Sequence, residues 1–107
     1  MKATLKSAFG TSFHGTTIIA SVTDLRQILG LEQYEANDGN DKTNFEWIVE
    51  TDNGDVFTVY DWKEYRVLDE NEIIEWHIGG HDENVTIQAL NEMNEALDKL
   101  SNSSSYI

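Results

Sequence analysis

Residues 45–62 read FEWIVETDNGDVFTVYDW, and this stretch decides the fold. Phe45, Trp47, Val49 and Thr51 alternate with Asn44, Glu46, Ile48 and Glu50. That is the period of a strand with one buried face. Asp52-Asn53-Gly54-Asp55 follows, and its Asn-Gly pair tolerates the positive φ of a tight hairpin turn. Val56–Trp62 then returns as the partner strand. Aromatic and β-branched pairs across such a hairpin contribute about 0.2–1 kcal/mol each.

Downstream, the charged segment Lys63–Glu72 leads into Ile73–Ile78, a further strand. Ile74, Trp76 and Ile78 fall on one face, with Ile73, Glu75 and His77 on the other. Gly79-Gly80 is expected to break this strand. Asp82 is placed to cap a long helix over 83–100, with Val85, Ala89, Met93, Ala96, Leu97 and Leu100 as its apolar stripe. Residues 101–107, SNSSSYI, read as a flexible tail.

Upstream, Val22, Leu25, Ile28 and Leu29 recur at helical spacing. Ser21 and Thr23 are both candidate N-caps, Asp24 favours the first turn, and Gly30 is placed to end the helix. Thr16–Ala20 reads as a strand, residues 10–15 as a turn, and Lys2–Ala8 as a possible first strand. Residues 35–44, EANDGNDKTN, form a polar loop whose single cation is Lys42. The expected fold is a single α+β domain over residues 1–100. In it a small antiparallel β-sheet of about four to five strands is packed by a short helix (22–29) and a long C-terminal helix (83–100).

Composition narrows the function classes. The 107 residues include no Cys, which removes disulfides, thiolate metal sites and cysteine nucleophiles. No apolar run approaches the ~18 residues of a membrane span, and residues 1–10 carry no secretory signal, so a cytosolic protein without membrane contact is expected. A fold this small without staples often gains stability by oligomerising. Asp plus Glu number 20 against 7 Lys plus Arg, a formal net charge of -13. Direct binding of nucleic acid is therefore not expected, because affinity there comes from cationic contacts. Such a surface suits solubility or a basic partner.

Catalytic signatures are sparse, and neither an enzyme nor a cofactor is expected. There is no G-x-S-x-G elbow, and His14, His77 and His81 sit in no recognisable triad pattern. His77 and His81 are four apart and followed by Asp82, but Gly79-Gly80 between them argues against one helical metal face. Asp38, Asn40 and Asp41 are hard oxygen donors without the spacing or closing Glu of an EF-hand.

Two segments point to nucleotide binding instead. Tyr60-Asp61-Trp62-Lys63-Glu64-Tyr65-Arg66 sets two of the seven cations beside three aromatics. Rings can stack on bases, and Lys and Arg can neutralise phosphates. Trp76-His77-Ile78-Gly79-Gly80-His81-Asp82 runs from strand through a glycine pair to a helix start, where backbone N–H groups can face an anion. The plain alternatives are core rings at a strand end, solvated cations and a tight strand-to-helix turn. The carboxylates between Glu32 and Glu75 permit another reading, a surface that imitates a phosphate backbone.

The segments FEWIVETDNGDVFTVYDWKEYR and IEWHIGG, followed by a helix, resemble a group of small proteins encoded by tailed phages. The resemblance covers roughly residues 45–100, in motif order: an E-W strand, a D-G turn, an F-T-x-Y-D-W-K strand and a W-H-I-G-G turn. It extends to anti-CBASS sponges, counter-defence proteins that sequester cyclic nucleotide immune signals. It implies a homo-oligomer in the cytoplasm of an infected bacterial host that holds a cyclic di- or trinucleotide signal without cleaving it. Tyr60 would stack, and Trp62, Lys63, Arg66, Trp76, His77, Gly79, Gly80 and His81 would be the remaining contacts. The strong negative charge departs from a simple nucleotide binder and asks for a local basic pocket. The alternative is an acidic DNA-mimic inhibitor of a restriction or CRISPR component, acting through clustered acids such as Asp52, Asp55 and Glu64.

Overall fold

The 45–62 hairpin forms as its alternation requires, and the rest of the chain is assembled around it. A computed structural model describes residues 1–104. In chain order the elements are β1 (Lys2–Ala3), β2 (Ser12–Ala20), α1 (Val22–Leu29), β3 (Tyr34–Glu35), β4 (Phe45–Glu50), β5 (Val56–Tyr60), β6 (Ile74–Gly80) and α2 (Glu83–Ser104). Among the described residues the strands make one six-stranded sheet in the order β1-β4-β5-β6-β2, with β3 also pairing β4. All of the pairings are antiparallel. The α+β class, the short helix and the long C-terminal helix are as the periodicity indicates.

Both helices cover the same face of the sheet. Phe45, Trp47 and Val49 of β4, Phe57 and Val59 of β5, Trp76 and Ile78 of β6, and Ile18 and Ala20 of β2 point into the core. There they meet Val22 and Leu25 of α1 and Val85, Ala89 and Met93 of α2. Trp47 and Trp76 pack edge to face at 5.5 Å. Their indole N–H groups donate to the carbonyls of Gly30 and Ala20, both at 2.9 Å, so neither is buried unpaired.

Local chemistry sets the helix ends. Ser21 caps α1 with a reciprocal capping box to Asp24, and Gly30 ends it at φ 86°. The Asp82 carboxylate accepts the Val85 N–H at 2.9 Å at the start of α2.

Several boundaries differ from the sequence reading: β5 stops at Tyr60, leaving Asp61 and Trp62 in a loop, and Tyr34–Glu35 forms a strand that was not expected. β1 is only two residues long, and just beyond it the Lys6 N–H donates to the Thr4 hydroxyl at 3.0 Å in a local turn instead of to a neighbouring strand. β2 begins at Ser12, so residues expected in a turn are strand. Their irregularity is absorbed by a register slip against β6 between Phe13 and Thr17. β6 continues through Gly79-Gly80, since β5 and β2 pair with it on both sides. α2 runs on to Ser104 into the segment read as a tail; residues 105–107 lie outside the described residues. Among the described residues no helix is long and apolar enough to cross a membrane.

Candidate nucleotide-binding face

The face of the sheet opposite the helices carries the candidate site. Side chains alternate between faces, so each residue paired with an outward neighbour also points outward. Register then builds one row across five strands: Tyr34, Glu46, Tyr60, His77 and Thr17. Neighbouring positions in such a row stand about 4.8 Å apart. Phe13 faces Gly79 in the adjacent row.

Four rings on this face are contiguous. Phe13 stacks on His77 at 3.9 Å and 12°, with no side chain opposite it at Gly79 to compete. Trp62 lies over His77 at 6.1 Å and 26°. Tyr60 meets Trp62 and His77 edge-on at 6.1 and 5.5 Å. Phe13 and Trp62 remain 42% exposed, so the cluster is a surface and not a second core. Burial holds the His77 imidazole below its ordinary pKa against the opposing pull of Glu75. The neutral ring is thus the favoured form, and it stacks without bringing a charge into the cluster.

The loop after β5 fixes Trp62 and Lys63. Asp61, fully buried, accepts N–H bonds from Asn44 (2.8 and 3.1 Å to its two oxygens) and Phe45 (2.8 Å). The Lys63 N–H donates to the Lys42 carbonyl at 2.7 Å, and the Asn44 side-chain amide to the Arg66 carbonyl at 2.9 Å. Lys63 and Tyr65 have φ of 56° and 51°, the left-handed region, at two residues that are not glycine. That strain costs of order 1–3 kcal/mol per residue and persists only where surrounding bonds over-determine it. The clamped loops bring the Lys42 and Lys63 ammonium groups to 5.9 and 5.5 Å from the Trp62 ring centre.

Charge pairing separates these two lysines from the rest. Lys2 and Lys6 pair with Glu50, Arg26 with Glu32 and Glu70, Arg66 with Glu72 and Glu64, and Lys99 with Glu95. Among the described residues, which include all seven cations, only Lys42 and Lys63 have no carboxylate partner.

No family model, curated protein or solved structure matches the chain.

The sequence-derived contacts therefore divide. Tyr60, Trp62, Lys63 and His77 converge on the outer face. Trp76 does not: it is fully buried on the helix side. Arg66 is held bidentate by Glu72 at 2.7 and 2.8 Å, which raises its pKa further and commits its fork. Gly79 and Gly80 form no anion-binding turn, being paired in mid-sheet. A Cβ on Gly80 would come within 3.0 Å of Thr86 and 3.1 Å of Val85, so this glycine lets α2 lie close to the sheet. His81 sits past the strand end beside Gly10, and His14 lies 3.0 Å from the Gly80 carbonyl. The three histidines face different partners, and among the described residues no three His, Asp or Glu side chains group as metal ligands do.

Phe13, Tyr34, Lys42 and Glu46 join the site without having been singled out from sequence as contacts. Lys42 carried a faint signal as the one cation of its loop. Phe13 carried none, because its place depends on the slipped register of β2.

Proposed function

We propose that this chain binds a nucleotide on the helix-free face of its sheet and acts by holding it. The ligand class is the cyclic di- or trinucleotide immune signal implied by the resemblance to phage counter-defence proteins. The protein would work in the cytoplasm of the infected bacterial host and would sequester the signal intact. One observation carries the reading: the only two cations without a carboxylate partner among the described residues both lie over Trp62, a partly exposed ring on the outer face. In so acidic a chain, ammonium groups spared from ion pairs beside an aromatic surface suit a ligand that is both planar and anionic. Base stacking on such a ring contributes about 1–3 kcal/mol. Sequestration favours enclosure. Exposed Ile19 of β2, which pairs with Glu75 of β6, and Ile73 continue the surface beyond His77 and offer apolar area on which a second copy would close.

The test is a thermal-shift and native-mass screen of purified protein against cyclic di- and trinucleotides and ADP-ribose derivatives. At a hundredfold excess over Kd a ligand specific for the folded state adds about 2.7 kcal/mol, raising Tm by roughly 10 °C or more. Trp62→Ala and the double change Lys42→Ala/Lys63→Ala are expected to remove most of that shift while leaving the unliganded Tm within a few degrees. Retention of an intact nucleotide supports sequestration, and a cleaved one would make the protein an enzyme. Absence of any shift would favour the acidic inhibitor reading, whose mark is a salt-sensitive complex with a basic protein.

A further inference from the structure

Beside the ring cluster, sharing Trp62 with it, lies a separate cleft of about 420 Å³ lined by Tyr34, Asp41, Lys42, Thr43, Glu46 and Trp62. That volume lies within the range of small-ligand sites and exceeds what one nucleobase needs. Glu46 stands between the two tyrosines in the cross-strand row, directly opposite Tyr34 on one side and Tyr60 on the other. Its carboxylate is half-buried and, among the described residues, makes no hydrogen bond or ion pair. Most other buried or half-buried carboxylates around it are committed: Asp61 to backbone N–H groups, Glu32 to Arg26, and Glu50 to Lys2, Lys6 and Thr4. Burial raises the Glu46 carboxyl above its ordinary pKa, and no neighbouring donor counters it. A desolvated acceptor left open at a cleft wall lacks the donors that would offset its burial.

Resting on the nucleotide-binding reading, we infer that this cleft takes a guanine base, with the Glu46 carboxylate reading its Watson–Crick edge. The argument is one of donor pattern. A carboxylate offers two adjacent acceptors and, when ionised, no donor. Guanine is the common base with two adjacent donors on that edge, N1–H and the N2 amine. Adenine and cytosine set an acceptor beside their one amine, and uracil flanks its single N–H with two carbonyls. Each of these would bring a lone pair against a carboxylate oxygen. Tyr34 and Trp62 supply rings at the cleft for the base to stack on, and Lys42 bridges to the phosphate side of the site. The guanine cleft and the lysine pair thus belong to one continuous surface.

The experiment is calorimetric titration of the full chain with GMP, IMP and AMP, with cyclic di-GMP and cyclic di-AMP as higher-affinity probes, for wild type and Glu46→Gln. IMP is guanine's base without the N2 amine and isolates that contact. GMP is expected to bind about tenfold or more tightly than IMP or AMP. Glu46→Gln replaces one acceptor with a donor, which complements the amine and neighbouring acceptor of adenine, and is expected to erase that gap by weakening GMP and strengthening AMP, with Tm nearly unchanged. Equal binding of GMP and AMP overturns the guanine assignment and leaves nucleotide binding standing. A guanine preference that survives Glu46→Gln overturns the role of Glu46. Failure of every nucleotide in this series overturns the guanine assignment, and failure of the cyclic trinucleotides and ADP-ribose derivatives as well overturns both readings.

Discussion

Removing the Asp61 carboxylate is expected to weaken the whole fold and to unfasten the site loop in particular. Asp61 sits at the end of β5 and accepts both the Asn44 and the Phe45 N–H groups at the start of β4. Asp61→Ala leaves two buried backbone donors without acceptors, each costing about 1–3 kcal/mol. The burial that raises the Asp61 carboxyl pKa is itself unfavourable to the ionised group, so its removal offsets part of the loss. A net cost of about 2–4 kcal/mol follows, a large share of the 5–15 kcal/mol typical of small domains. Asp61→Asn keeps one oxygen for both donors but turns an amide N–H toward Asn44, so a smaller cost of about 1–2 kcal/mol is expected. Urea denaturation followed by the emission of the buried Trp47 and Trp76 measures both, with the Asp61→Ala midpoint falling by roughly 1–2 M. The pH dependence gives a second check. A carboxyl whose folded-state pKa is raised stabilises most below its unfolded value and loses that contribution as pH rises through the folded value. The advantage of wild type over Asp61→Ala is therefore expected to grow as pH falls through the ordinary carboxylate range. An Asp61→Ala midpoint indistinguishable from wild type would refute the clamp.

Other outcomes follow from single contacts. Gly79→Ala sets a Cβ 2.5 Å from the Thr58 hydroxyl oxygen, an overlap expected to cost about 1–3 kcal/mol. Pairing it with Thr58→Ala removes the colliding atom, and a double-mutant cycle by chemical denaturation should show most of the loss restored. The Arg26 guanidinium, bonded to Glu32 at 2.7 and 3.0 Å, holds that carboxyl below its ordinary pKa. Its stabilisation is present at neutral pH and lost as pH falls through the lowered value, so Arg26→Ala should flatten the acid limb of a stability–pH curve.

The legibility of this protein in its sequence follows the range of the forces involved. Alternation from Phe45 to Thr51, the Asn53-Gly54 turn and the helical spacing of Val22, Leu25 and Leu29 are local signals, and they specified the hairpin and α1 within a residue or two. The loop cluster of Tyr60, Trp62 and Lys63 was visible for the same reason, since neighbours in sequence stay neighbours in space. Gly79-Gly80 was misread because a glycine pair is a turn signal only where the backbone lacks partners, and here β2 and β5 supply partners on both sides.

Trp76 was expected among the contacts and is buried, and Arg66 is paired with Glu72, because residue type shows chemical capacity and not commitment. Whether a guanidinium is free depends on Glu72, and whether an indole is exposed depends on which face meets the helices. By itself the sequence determined the central hairpin, α1, the core of β6 and the body of α2, and which side of each is apolar, while β3 and several element ends were not legible. Only the tertiary structure decided that both helices cover one face and leave the other bare, and that the β2 register sets Phe13 against His77. It also decided that the loop carrying Lys42 closes on the loop carrying Lys63. Periodicity acts over a few residues, whereas strand order, register and loop closure balance burial across the whole chain.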